Sequence, residues 1–205
     1  MFNLYLTIPP ISQFNYKIMT LIGITGHRAL TDKNKITEGI KLAFERIRVS
    51  FAPPFVAVSP LAEGSDCLFA RQAIEYLGAS LVVCLPLPLN EYIEDFSGAL
   101  AREEFKTLMK AAGQVIQLPA CETREQAYLA AGYYVVEHCE VLLAVWDGES
   151  ARGVGGTGQI VQLARKRGLP LAWIHSGKRA DSLESGSEHD KKLGRIAFER
   201  FPDAK

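Results

Sequence analysis

Short apolar runs alternate with amphipathic segments of helical length from Thr20 onward, and this alternation constrains the fold more than any other feature. The six runs of strand length are Leu21 to Thr25, Phe55 to Ser59, Ser80 to Leu85, Gln114 to Leu118, Val141 to Trp146 and Pro170 to His175. Each connection is long enough for the crossover helix that parallel strands require. We therefore predict an α/β fold, a three-layer sandwich with a mainly parallel sheet of about six or seven strands and helices on both faces.

The segments between these runs carry apolar residues at helical spacing. In the segment from Lys33 to Val49 the apolar residues Ile36, Ile40, Phe44 and Ile47 form one stripe. The other predicted helices are Asp66 to Leu77, Ala99 to Ala112, Glu125 to Cys139 and Thr157 to Arg167. The fourth of the five is apolar almost all round, which predicts that it is deeply packed.

The length of 205 residues favours a single domain with short additions at both ends. Residues 1 to 18 precede Met19 and the first strand, and are compatible either with a non-native extension or with an added edge strand. Residues 19 to 176 form the predicted ligand-binding domain. Residues 177 to 205 comprise a polar, serine-rich linker and a docking helix from Asp190 to Phe201, in which Leu193, Ile196 and Ala197 have helical spacing.

Composition argues against several classes of protein. Lysine plus arginine equals aspartate plus glutamate at 23 each, so nucleic acid is an improbable partner. The four cysteines, at 67, 84, 121 and 139, have neither metal-ligand nor CxxC spacing, which predicts a reduced, cytoplasmic protein without a metal site. No apolar run reaches the length of a membrane span. A homo-oligomer stays possible.

Polar residues follow the first two strands, and ligands of parallel sheets bind beyond the carboxyl ends of the strands. Gly26, His27 and Arg28 end the first strand, and Arg28 is suited to holding a phosphate or carboxylate. Glu63, Gly64, Ser65 and Asp66 follow the second strand. Ser65 or Asp66 is equally suited to capping the next helix, whereas Glu63 is freer to contact ribose hydroxyls or to act as an acid or base.

Two further loops are predicted to lie at the same carboxyl edge of the sheet, which we call the rim. Asp147 and Gly148 end the fifth strand, and the residues from Gly153 to Gly158 are dense in glycine before a helix that begins near Thr157. Free backbone N–H groups and the helix dipole at such a start suit a phosphate, although a flexible surface turn is the alternative. In the segment from Leu89 to Phe96, carboxylates alternate with aromatics such as Tyr92, a pattern compatible with a lid or with a solvated turn.

Five motifs in chain order together resemble the SLOG superfamily. They are IGITGHR (residues 22 to 28), SPLAEGSD (59 to 66), LPLPLNEYIEDF (85 to 96), VLLAVWDG (141 to 148) and GVGGTGQIV (153 to 161). The superfamily is named for bacterial DNA-processing proteins and for cytokinin-activating phosphoribohydrolases. The resemblance implies a Rossmann-like fold that binds nucleotides or nucleotide-derived ligands, in enzymes in some members and in sensor domains in others.

The chain departs from the phosphoribohydrolases at the positions that carry their catalysis. Their motif PGGxGTxxE supplies a catalytic glutamate, and a catalytic arginine lies in the preceding helix. Here Gly155, Gly156 and Thr157 lack the leading proline, Gln159 stands near the glutamate position, and Arg124 sits only at the start of the preceding helix. Because glutamine cannot transfer a proton as a carboxylate does, we expect this activity to be absent or very low unless another carboxylate has taken over the role.

These observations lead to a ranked expectation of function. The first is a sensor or binding module for a nucleoside phosphate or ADP-ribose-like ligand, with no cofactor required. The alternative is a hydrolase of an N-glycosidic or phosphate bond, with Glu63, Asp66 or Asp147 as acid or base; DNA binding ranks third. The predicted ligand-binding residues are Gly26, His27, Arg28, Glu63, Gly64, Ser65, Asp66, Tyr92, Asp147, Gly148, Gly155, Gly156, Thr157 and Gln159.

Overall fold

Seven strands form one sheet in a computed structural model that describes residues 19–150, 153–177 and 192–203. The strands are β1 (Thr20–Gly26), β2 (Phe55–Ser59), β3 (Ser80–Leu85), β4 (Gln114–Gln117), β5 (Val141–Trp146), β6 (Leu171–His175) and β7 (Ile196–Glu199). Their order is β4-β3-β2-β1-β5-β6-β7. Every neighbouring pair from β1 to β6 is parallel, and β7 is antiparallel to β6. The α/β prediction with a mainly parallel sheet is confirmed.

Helices connect the parallel strands as predicted. They are α1 (Lys33–Ser50), α2 (Ser65–Gln72), α3 (Leu89–Tyr92), α4 (Ala99–Ala111), α5 (Arg124–His138) and α6 (Thr157–Lys166). Helix α2 continues into a π-helical turn, Ala73–Leu77, which ends at Gly78 in the left-handed region. A 3-10 turn, Ile93–Asp95, follows α3. The Asp32 and Thr123 side chains cap α1 and α5 by accepting backbone N–H groups of their first turns.

The sheet lies between two apolar clusters. On one face α1, α2 and α4 bury aromatic residues such as Phe44, Phe69 and Phe105. On the other face α5 and α6 bury a second set that includes Tyr134 and Val161. All six residues of β5 are buried because this central strand is covered on both faces. Of the rings predicted to be deeply packed in α5, Tyr134 is buried, whereas Tyr128 and Tyr133 are only partly buried.

The predicted docking helix near the carboxyl end is wrong over residues 196 to 199. Instead of a helix this segment forms β7, whose Ile196 and Ala197 pair with Ile174 and Trp173 of β6. The backbone groups of β7 supply hydrogen-bond partners for those of β6. The helix prediction failed because a short apolar pattern does not by itself distinguish a helix from a strand. Residues 178 to 188 of the linker predicted from Gly177 to Glu188, and the extension from residue 1 to 18, lie outside the described residues.

Strand order reverses beside β1. The chain adds β2, β3 and β4 on one side of β1 and β5, β6 and β7 on the other. The loops after β1 and β5 therefore diverge and leave a crevice at the carboxyl edge of the sheet, where α/β proteins hold ligands. Within the three described ranges no helix is long and apolar enough to cross a membrane.

Candidate functional site

A cavity of about 110 Å³ opens beyond the carboxyl ends of β1 and β2, beside the start of α6. Its wall includes the side chains of Arg28, Asp66, Tyr92, Tyr128 and Thr157. One water occupies roughly 30 Å³, and pockets for whole drug-sized ligands occupy roughly 300–1,000 Å³. The cavity is therefore suited to one phosphate-sized part of a ligand, and the rest would lie on the open rim.

The loop after β1 is locked to the start of α2 by backbone contacts. The Ser65 backbone N–H and the Ser65 hydroxyl both donate to the His27 carbonyl, at 3.2 and 3.0 Å. A Cβ on Gly26 would lie 2.3 Å from Ser65 Oγ, and one on Gly64 would lie 2.1 Å from the Arg28 carbonyl oxygen. Gly26, Gly64 and Ser65 thus hold the loop that presents Arg28.

Arg28 is exposed and lies over the ring of Tyr128, with its guanidinium carbon 5.0 Å from the ring centroid. Its positive charge also acts on the carboxyl of Asp66. A guanidinium beside an aromatic ring carries five N–H donors, and those not engaged by the tyrosine can meet an oxyanion. The structure therefore places a cation at the cavity, and the predicted role of Arg28 in holding an anion stays a prediction.

Asp66 is buried in α2, with 5% of its surface exposed. Burial raises the pKa of this carboxyl from 3.8 to about 7, while hydrogen bonding to the Ala62 backbone, the charge of Arg28 and hydrogen bonding to the Ser65 side chain offset only part of the rise. A carboxyl with such a pKa is able to accept or donate a proton near neutral pH. Of the three predicted acid or base candidates, only Asp66 lies on the cavity wall.

His27 connects the loop after β1 to the loop after β5 and to α6. Its Nε2 lies 3.2 Å from both the backbone nitrogen and Oδ2 of Asp147, and its Nδ1 lies 3.5 Å from Thr157 Oγ1. The other oxygen of Asp147 accepts the Glu149 backbone N–H at 3.0 Å. Both side chains are thus engaged within the protein.

The residues after β5 border a different cavity. Asp147 and Gly148 line a space of about 450 Å³ together with Trp173 and His175. Gly148 has φ 89°, and a Cβ there would lie 3.2 Å from the Trp173 ring. The structure therefore separates Asp147 and Gly148 from the cavity that Arg28 borders.

The glycine loop before α6 is closed by its own glutamine. The Gly155 backbone N–H donates to Gln159 Oε1 at 2.9 Å. Gly155 has φ 79°, and a Cβ there would lie 3.0 Å from the Leu129 backbone nitrogen. Gly156 occupies the N-cap position of α6 without a side-chain hydrogen bond, and Thr157 begins the helix on the cavity wall. Gln159 thus stabilises the loop.

Glu63 and Tyr92 have structural partners. The Glu63 carboxylate accepts the Ser97 backbone N–H at 2.8 Å and the Ser97 hydroxyl at 2.5 Å, beside a separate cavity of about 400 Å³. Tyr92 is 1% exposed and packs edge-on against Phe96 and Phe105, and burial raises its pKa well above the usual value. Tyr92 contributes to the cavity wall as a neutral side chain.

Sequence reasoning missed Tyr128, which lies on the cavity wall, and the Asp95 carboxylate that accepts its hydroxyl. The signal available was a tyrosine in the first half of α5, a residue type with an apolar ring and a polar tip. Over the described part of the chain, no group of three histidine, cysteine or acidic residues is arranged to hold a metal ion. All four cysteines are free thiols, and three of them are buried.

No family model matches the sequence, and no curated protein matches it. Among solved structures, the chain is similar to DNA processing protein A from Streptococcus pneumoniae, with a TM-score of 0.54 and 17% identity over 86% of this chain and 59% of that one. A second structure, the structural-genomics target TM1055, matches 75% of this chain and 72% of its own, with 10% identity and a TM-score of 0.44. The present chain thus spans 59% of the DNA processing protein chain. The first likeness confirms the Rossmann-like fold that the SLOG resemblance implied.

Proposed function

We propose that this protein binds a nucleotide or a nucleotide-derived anion at the carboxyl edge of its sheet, as a binding or sensor module. One observation carries the proposal: Arg28, Asp66 and the first residue of α6, Thr157, line one cavity beside the point where strand order reverses. The three come from segments that are far apart in sequence. A cation, a carboxyl and the start of a helix in one cavity together suit the phosphate of a nucleotide.

The phosphate is the part of the ligand that suits the cavity. Arg28 supplies charge-assisted hydrogen bonds to oxyanions. Helix α6 begins at Thr157 on the cavity wall, so its positive dipole end favours an anion there. Asp66 donates a hydrogen bond to a phosphate oxygen when its carboxyl is protonated. The base and sugar extend onto the rim, because the cavity of about 110 Å³ holds no whole nucleotide.

Binding is favoured over hydrolysis because the other candidate acids and bases are engaged. Glu63 accepts hydrogen bonds from Ser97, and Asp147 contacts His27 and accepts the Glu149 backbone N–H. Neither carboxylate borders the cavity that Arg28 and Thr157 line, so neither lies within reach of a ligand proton there.

A panel of AMP, NAD and ADP-ribose tests the proposal when thermal shift and chromatography of the products are run on the same samples. Binding without turnover raises the melting temperature and leaves the nucleotide intact. If no nucleotide raises the melting temperature at millimolar concentration, the proposal is wrong.

Hydrolysis of an N-glycosidic or phosphate bond is the second candidate, and Asp66 is the observation that favours it. Its carboxyl borders the cavity beside Arg28 and has a pKa of about 7, which suits a general acid or base. If the same chromatography detects free base or inorganic phosphate, Asp66→Asn should abolish that product while Arg167→Ala, at the far end of α6, leaves it unchanged. DNA binding ranks third, because the net charge is zero.

A further inference from the structure

Asp95 joins the segment after β3 to helix α5 through both oxygens of its carboxylate. Oδ1 accepts from Arg124 and Oδ2 accepts the hydroxyl of Tyr128. The two partners are four residues apart on α5 and therefore lie on the same side of the helix. The side chain of Asp95 is 16% exposed, so the contacts form in a partly desolvated position.

The ring of Tyr128 is held between this carboxylate and Arg28. The Arg28 guanidinium carbon lies 5.0 Å from the ring centroid, and the Tyr92 ring packs against Tyr128 at 6.4 Å. Tyr128 and Arg28 both border the cavity of about 110 Å³. A continuous series of contacts thus runs from Asp95 through Tyr128 to Arg28.

This series restricts a side chain that would otherwise be mobile. Arg28 is exposed, and a free arginine loses considerable rotamer entropy when it orders around a ligand. Stacking on a fixed ring orders the guanidinium before the ligand arrives, so less of the binding free energy is spent on ordering it. The ring can serve this purpose only if it is itself fixed, which the Asp95 contact provides.

We infer that Asp95 is a positioning residue of the anion site, acting through Tyr128 on Arg28. The inference rests on the proposed function, because Arg28 has this role only if an anion binds at the cavity. Asp95 does not touch the ligand. Tyr128 forms the surface on which the ligand-binding guanidinium lies.

The sign of the effect separates positioning from simple electrostatics. Asp95 carries a negative charge in the neighbourhood of the proposed anion, so its Coulomb effect alone opposes binding. Removal of the carboxylate would then tighten anion binding. Positioning predicts the opposite result.

A double-mutant cycle measured by calorimetric titration of AMP tests the inference. Asp95→Ala should weaken AMP binding by about two- to fivefold in the wild-type background and by less than about 1.5-fold in the Arg28→Ala background, since its effect passes through Arg28. Asp95→Asn, which keeps an acceptor for the Tyr128 hydroxyl, should restore most of the affinity.

Two tyrosine variants of unchanged charge repeat the test if Asp95→Ala does not fold. Tyr128→Phe removes the hydroxyl, and with it the hydrogen bonds to Asp95, Arg124 and Arg28, but keeps the ring, so it should weaken AMP binding less than Tyr128→Leu. Tyr133→Phe on the same helix is the matched control and should leave the affinity unchanged.

Each contrary result identifies what has failed. Equal weakening by Asp95→Ala in both backgrounds, or tighter AMP binding, overturns the positioning role while the proposed function stands. If the wild type binds none of AMP, NAD and ADP-ribose, or if Arg28→Ala binds AMP as the wild type does, the proposed function fails and the inference with it.

Discussion

Among the described glycines, Gly64 is the one at which an added Cβ would lie closest to another atom. It has φ 95°, in the region that favours glycine, and a Cβ there would lie 2.1 Å from the carbonyl oxygen of Arg28. Gly78 has φ 73° at the end of the π-helical turn, but nothing lies within 4 Å of its would-be Cβ. Both positions would therefore impose backbone strain on an alanine, but only Gly64 would add a steric clash.

We predict that Gly64→Ala destabilises the protein clearly more than Gly78→Ala. The control should cost about 1 kcal/mol for backbone strain alone, and Gly64→Ala should exceed that because the loop carrying Arg28 must also move. Urea unfolding of both variants measures the difference. Equal losses would mean that the contact between Gly64 and Arg28 relaxes without cost.

Asp66 should make stability depend on pH. Its pKa rises from 3.8 to about 7 on folding, so between these values the folded protein holds a proton that the unfolded chain releases. Its contribution to stability is therefore largest below the unfolded pKa and is lost as pH rises through about 7. Compared with Asp66→Asn, the wild type should lose on the order of a few kcal/mol of unfolding free energy between pH of about 4 and about 8. Parallel curves for the two proteins would contradict a raised pKa.

At the scale of elements, the pattern of apolar residues predicted six strands and the main crossover helices. The prediction succeeded where periodicity and length agree, as in the fully apolar β5 between two helices. It failed at Ile196–Glu199, because four residues with ambiguous spacing became a strand only by pairing with β6. Such pairing partners are not encoded in the local pattern.

The candidate site was predictable to the level of loops but not of side-chain directions. Arg28, Asp66 and Thr157 meet at one cavity because parallel strands place their carboxyl ends on one edge. Ser97 holds Glu63 elsewhere, and His27 engages Asp147, through tertiary contacts that no spacing in the sequence reveals. The ligand-binding role of these residues stays a prediction.

The start of α6 allows a prediction about Gln159. Gln159→Ala should lower the unfolding free energy by about 1 kcal/mol, because the Gly155 N–H loses its acceptor. Gln159→Glu keeps an acceptor and adds a negative charge near a helix N-terminus, so its stability should be retained. Thermal unfolding of both variants measures this effect. A loss as large for glutamate as for alanine would show that Gln159 does not stabilise the loop through this hydrogen bond.

At the scale of the whole molecule, one sheet with helices on both faces brings segments that are distant in sequence to the point where its strand order reverses. The same fold serves DNA processing protein A, which shares 17% identity with this chain over the matched region. A fold of this kind hosts many functions, so the cavity residues, and not the fold, favour a nucleotide as ligand.

The most direct test of the proposed anion site is calorimetric titration of AMP into the wild type, Arg28→Ala and Arg167→Ala. Arg167 lies at the far end of α6 in an exposed ion pair with Glu137 at 3.8 Å, so its removal matches the loss of charge at Arg28. We predict that Arg28→Ala weakens AMP binding by about 1.5–3 kcal/mol and that Arg167→Ala leaves the affinity within about twofold. Unchanged affinity in Arg28→Ala, or equal losses in both variants, would contradict an anion site at the rim of the sheet.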